Sequence, residues 1–170
     1  VIRNERECFR VTILQVDQLT KKIKGMPIIQ DVSFKLDEGQ IVGLVGANGA
    51  GKTTLMKVIL GLSNYQDGSY EIRANTNNKS NTGALIESPG VYPFLTGYDN
   101  LKLLCESKDK NAIDDIVKKL KMDRYIHKKA KTYSLGMKQK LGIAIAFLNH
   151  PQLIVLDEPM NGLDPKAVRD

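Results

Sequence analysis

The stretch Gly46-Ala47-Asn48-Gly49-Ala50-Gly51-Lys52-Thr53 decides the fold of this chain. It fits the pattern G-x-x-x-x-G-K-[ST] at every fixed position. The nearly unbroken apolar run Ile41-Val42-Gly43-Leu44-Val45 precedes it, and a helix-compatible segment over 53–60, closed by Gly61, follows it. Buried strand, glycine-rich loop and helix in that order form a cradle for phosphate. Glycine lets the backbone turn its N–H groups inward with no Cβ in the way, and the helix N-terminus adds a positive dipole. Residues Gly46 to Thr53, with Thr54 behind them, are therefore expected to hold the phosphates of a nucleotide. Lys52 reaches the β- and γ-phosphates, and the Thr53 hydroxyl ligates Mg²⁺. The blander alternative is a glycine-rich turn that carries a lysine by chance, and what lies downstream argues against it.

A second continuous apolar run, Leu153-Ile154-Val155-Leu156, ends in Asp157 and Glu158. Both runs read as buried strands that deliver polar residues at their C-terminal ends, where open α/β sheets bind ligands. The two ends are expected to converge on one site. Asp157 is placed to hold Mg²⁺, and Glu158, one residue further along an extended chain, points elsewhere and is placed to polarise the attacking water. Two solvated carboxylates at a strand end are the ordinary alternative.

Further out, apolar and polar residues alternate over 14–19 and again over 32–36, with a turn region at 21–27 between them, which predicts an antiparallel pair of strands. From about 98 to 148 the period becomes helical. Leu101, Leu104 and Cys105 share one face, Ile113, Ile116, Val117 and Leu120 a second, and Met137, Leu141, Ile145 and Leu148 a third. A helical subdomain is thus inserted into a sheet domain. Residues 75–82 read as a polar loop.

At 170 residues, 42% hydrophobic and 26% charged, the chain suits one globular domain. Its apolar runs are far shorter than the roughly 20 residues that cross a bilayer, and no cleavable signal pattern opens it. Cys8 and Cys105 show no metal-ligand or disulfide spacing and fit a reducing compartment. The formal charge of +6 is partly concentrated over 108–140, where a solvated helical surface accounts for it better than nucleic-acid binding.

With these motifs in place, the chain resembles the ATP-binding cassettes of ABC transporters. Leu153-Ile154-Val155-Leu156-Asp157-Glu158-Pro159 with Asn161-Gly162-Leu163-Asp164-Pro165 looks like that family's Walker B and D-loop region. Tyr133-Ser134-Leu135-Gly136-Met137-Lys138-Gln139 stands where the Leu-Ser-Gly-Gly-Gln signature belongs, with Ser134 and Gly136 matching. The resemblance runs from about residue 14 to 170 and includes Asp31-Val32-Ser33-Phe34. It implies an α/β fold: a P-loop NTPase sheet core with an N-terminal antiparallel β-subdomain and an inserted α-helical subdomain. The expected division is an extension over 1–11, an ATP-binding core over 12–88, the helical signature subdomain over 89–148, and the Walker B and D-loop part over 149–170, with the cassette truncated after 170. ATP and Mg²⁺ are the implied ligands, with Glu158 and Lys52 catalytic and Thr53, Asp157 and Glu87 on the metal. Ser134 and Gly136 are expected to bind the nucleotide of a second cassette in a head-to-tail dimer, and the signature serine is also a good helix N-cap in its own right.

Leu85-Ile86-Glu87-Ser88-Pro89-Gly90-Val91-Tyr92-Pro93 and Leu95-Thr96-Gly97-Tyr98-Asp99-Asn100-Leu101 look like the switch loop and the surface that docks on a transmembrane permease subunit. This wording is similar to cassettes that export bacitracin or lantibiotics. The implied place is the inner face of the cell membrane, reached through that partner. Three departures from the family pattern stand out. Ile23 occupies the position of the adenine-stacking aromatic, Glu87 replaces the usual Gln and adds a negative charge near the phosphates, and the chain ends before the family's switch histidine. His150, beside Pro151, reads as a helix-end residue and His127 as a surface one. Two other functions stay open on the residues: a soluble ABC-type ATPase unconnected with transport, and a nucleotide-binding module with little hydrolysis.

Overall fold

The computed structural model describes residues 11–73, 82–106 and 110–163. The polar loop read over 75–82 therefore falls outside the described residues apart from its last position, as do Cys8, Asp164 and Pro165.

Strand β1 (Thr12–Ile23) and strand β2 (Met26–Asp37) form the expected antiparallel pair, both longer than their alternating cores. The loop between them is only Lys24-Gly25, with φ of +50° and +83°. Two central residues at positive φ match the right-handed twist of a hairpin, so the turn sets the register of the pairs next to it, Ile23 with Met26 and Lys22 with Pro27, before irregularities shift it further along. Strand β3 (Asp67–Ile72) pairs antiparallel with the other edge of β1, giving the order β2-β1-β3. Val16 and Leu19 of β1 are completely buried under Val58 and Ile59 of helix α1 (Lys52–Ile59). Each such side chain contributes about 1.5–3 kcal/mol relative to exposure.

Strand β4 (Thr82–Leu85) and strand β5 (Leu153–Leu156) form a parallel pair in continuous register, from Thr82 opposite Leu153 to Leu85 opposite Leu156. Between them in sequence lie helices α2 (Gly97–Leu104), α3 (Lys110–Lys119) and α4 (Leu135–Phe147), with a short 3₁₀ turn at Ala130–Thr132. The three apolar faces read from the helical period meet in one core built on Leu101, Ile113, Val117, Met122, Leu141 and Leu148. Tyr125 and Tyr133 meet edge to face in that core, and burial pushes the Tyr125 phenol up to about 12. His150 follows the end of α4 and His127 is exposed, as their surroundings in the sequence imply.

One element departs from expectation. Residues 41–47 form no strand; Ile41 is 100% exposed and Val45 94%. An apolar run becomes a buried strand only where a neighbouring edge takes its N–H and C=O groups and layers cover both its faces. Among the described residues β5 pairs with β4 alone, so that ladder is missing. Beside the run lies an apolar cavity of about 700 Å³, lined by Val42 and Leu44 on one side and by Phe34, Leu55, Ile59 and Val155 on the others.

Candidate nucleotide-binding site

The site is anchored from its helical side. Gly51 precedes α1 with φ +89°, and a Cβ there would lie 2.6 Å from the carbonyl oxygen of Ile28 in β2. Only glycine lets the loop pass this close over β2 in a left-handed conformation. The helix then starts at once, and its first-turn N–H groups open toward the loop. Its end is closed at the expected place, by N–H bonds from Gly61 to Val58 O (2.9 Å) and from Leu62 to Lys57 O (2.8 Å).

Lys52 turns its ammonium back onto the loop, donating to Gly46 O at 2.7 Å and to Ala47 O at 2.9 Å. Residues 46–50, including Ala47, Asn48, Gly49 and Ala50, are exposed, while Gly51 to Thr54 are half-buried. The loop is thus solvent-facing and its lysine occupies its own mouth.

The predicted convergence of the two chain segments is present. Thr53 Oγ1 donates to Asp157 Oδ2 at 2.7 Å, a bond that links positions 104 residues apart in sequence. Asp157 is 9% exposed, and its amide donates to Leu85 O at 2.8 Å, extending the β4–β5 pairing by one bond. A hydroxyl and a carboxylate oxygen held together at the mouth of a phosphate loop suit a hard cation such as Mg²⁺, which prefers oxygen ligands.

Glu158 faces solvent with φ +47°, unusual for a residue with a Cβ. Its carbonyl accepts from the Asn161 amide at 3.0 Å and from Nε2 of Gln139 at 3.2 Å. Gln139 lies on α4, is 4% exposed, and received no role from the sequence. Set between Lys138 and Lys140, it reads as one more polar surface residue, and only a long-range contact reveals the buried amide.

Ser134 N-caps α4, its hydroxyl accepting from the Met137 amide at 3.3 Å. Gly136, in the first turn, packs so tightly on the turn after β5 that a Cβ would sit 2.8 Å from Gly162 O. The signature segment and the carboxylate turn are therefore one packed unit. Glu87, in contrast, is turned away from Thr53. Its φ is +60°, and its carboxylate pairs at 2.6 Å with Lys57, one helical turn further along α1. No motif signalled that Lys57 would supply this counter-charge.

Downstream, Asn100 is completely buried and fixes the loop ahead of α2 by donating to Tyr92 O and Thr96 O and accepting from the Tyr92 amide at 2.7 Å. That loop presents Tyr92 and Phe94 as exposed, mutually tilted rings. Among the described residues, no helix is long and apolar enough to cross a membrane.

The profile of the ABC transporter family matches residues 29–161. An uncharacterised ABC transporter ATP-binding protein of Bacillus subtilis (strain 168), YdbJ, is 43% identical over 167 residues, covering 93% of this chain and 54% of its own length. The bacitracin transport ATP-binding protein BcrA of Enterococcus faecalis is 38% identical over 168 residues, with 93% and 54% covered. The lantibiotic transport ATP-binding protein SrtF of Streptococcus pyogenes is 36% identical over 163 residues, with 93% and 71% covered. Among solved structures, an ATP-binding subunit of an ABC transporter superposes with a TM-score of 0.80 at 30% identity, over 93% of this chain and 71% of that one. The dimeric cassette MJ0796 superposes at 0.78 and 23% identity, over 92% and 78%, and shows the shared fold. The chain spans about half the length of the first curated relatives it matches.

Proposed function

The chain belongs to the ABC transporter family, and from that premise we propose that it is the ATP-binding and ATP-hydrolysing subunit of a transporter that exports a peptide antibiotic or a similar molecule through a separate permease. The observation that carries this reading is the 2.7 Å bond between Thr53 and Asp157, which brings the phosphate loop and the second strand's carboxylate to one point. The names of BcrA and SrtF, bacitracin and lantibiotic transport ATP-binding proteins, support the transport of such cargo.

In this reading the phosphates lie on residues 46–54, with the loop amides, the α1 N-terminus and Lys52 as donors. Thr53 and Asp157 would hold Mg²⁺, which supplies neutralisation of charge on the transferring phosphoryl group; Glu87 would have to leave its pair with Lys57 to join them as a third oxygen donor. Glu158, exposed and next to Asp157 in the chain, accepts a proton from the attacking water. Ser134 and Gly136, at the N-terminus of α4, face the γ-phosphate held by a second cassette, so each hydrolysing site takes donors from two chains. The Glu87 to Asn100 segment, with Tyr92 and Phe94 exposed at its tip, meets the permease at the inner face of the membrane. The division at 12–88, 89–148 and 149–170 belongs to the same reading and is supported by two separate apolar cores, one in the sheet part and one in the helices.

The test is Mg²⁺-dependent ATP binding and turnover in the full-length protein with and without Glu158→Gln. Retained binding with turnover reduced by about 10²–10⁴-fold is expected of a lost general base. Binding without turnover in both forms would instead favour a regulatory nucleotide-binding module.

A further inference from the structure

Among the described residues, Gln139 is the one buried amide side chain that reaches the carboxylate turn. Three contacts join the first two turns of α4 to that turn: Gly136 against Gly162 O, Leu135 against Gly162, and Gln139 Nε2 donating to Glu158 O at 3.2 Å. The first two are packing. The third is directional, and it acts on the residue whose backbone is least comfortable, Glu158 at φ +47°. A non-glycine residue in that region persists only when its surroundings over-determine it. The Glu158 carbonyl is held from two sides, by the Asn161 amide at 3.0 Å within the turn and by Gln139 across from the helix. Fixing the carbonyl restricts ψ and so the direction of the Cα–Cβ bond from which the exposed side chain departs, while Asn161 Nδ2, 3.5 Å from Oε2, is the contact on the carboxylate itself.

From this geometry we propose that Gln139 is a positioning residue for Glu158, and that through it the helix capped by Ser134 controls where the Glu158 carboxylate points. The inference rests on the reading of Glu158 as the water-polarising group and deepens it. A buried donor just over one turn into α4 makes this tie, and the Glu158 carbonyl is met from the buried face of the helix. The tie also gives the contact at the α4 N-terminus a route to the chemistry of the same chain.

The experiment compares Gln139→Met, which keeps length and volume but loses the donor, with Gln139→Lys, which restores an N–H donor on a flexible stem, and with Glu158→Gln, all in the full-length protein. The readouts are ATP affinity, melting temperature, and kcat separated from KM. Gln139→Met should lower kcat about tenfold while ATP affinity and KM stay within about twofold of the wild type, since misdirecting a reacting group by a fraction of an ångström acts on the chemical step. Gln139→Lys should recover most of that loss. Wild-type kcat in Gln139→Met, or equal losses in kcat and ATP affinity, would overturn the proposal. Should Gln139→Met fail to fold, Gln139→Lys decides it: a folded, ATP-binding Lys variant with wild-type kcat supports the tie, and one with kcat as low as Glu158→Gln overturns it. If Glu158→Gln itself turns over normally, the reading of Glu158 fails first and is recognised as the separate failure.

Discussion

Residues 41–45 and β5 carry almost the same sequence signal, a short unbroken apolar run ending at polar residues, yet they behave oppositely in the structure. β5 pairs with β4 over its full length and Leu153 is 3% exposed, whereas Ile41 and Val45 stand in solvent. Hydrophobicity alone therefore does not make a strand. β5 has two things that the earlier run lacks: an edge to pair with and, in α4, a helix packed against the pair. The apolar content of a run states what it needs, and the neighbouring elements decide whether it is satisfied.

The comparison can be broken by measuring what each run contributes. Leu153→Ala should cost about 2–5 kcal/mol in urea unfolding, from lost transfer energy and the cavity left behind, while Ile41→Ala should stay within about 0.5 kcal/mol. Equal costs would mean that residues 41–45 are packed after all. A smaller effect sharpens the contrast at the point where the loop does meet β5. Thr53→Val keeps the shape of the side chain but withdraws the hydroxyl from the buried Asp157 carboxylate, and about 1–3 kcal/mol should be lost. The loss should vanish in an Asp157→Ala background, since no acceptor is then left unpaired. A smaller loss than that of Thr53→Val is expected away from both runs. Ser134→Ala removes only the cap of α4, costing about 1 kcal/mol, and a thermal melt should show a shift of a few degrees.

Much of this molecule was legible in its residues, for reasons that can be assigned. The hairpin of β1 and β2, helix α1 and its end at Gly61, strand β5 and the three apolar helix faces all follow from local periodicity and punctuation. The Thr53 to Asp157 bond was legible only because the motif fixes both residue types, as nothing local connects positions so far apart. Strands β3 and β4 escaped notice. Asp67-Gly68-Ser69-Tyr70-Glu71-Ile72 is mostly polar because β3 is an edge strand with one exposed face, and β4 is only four residues long. The Lys57 to Glu87 pair and the Gln139 tie were invisible because each depends on tertiary placement of a residue type that is common on any surface.

The position of Lys52 sets a threshold for whatever enters the loop. Its ammonium already holds two carbonyl oxygens, Gly46 O and Ala47 O, so a newcomer must out-compete neutral acceptors that are supplied by the chain itself and carry no translational entropy cost. A neutral nucleoside offers nothing stronger than those carbonyls. A triphosphate brings several charged oxygens, each a better partner for an ammonium than a peptide carbonyl. The lysine thereby screens its guests by charge density before any contact with a base is made.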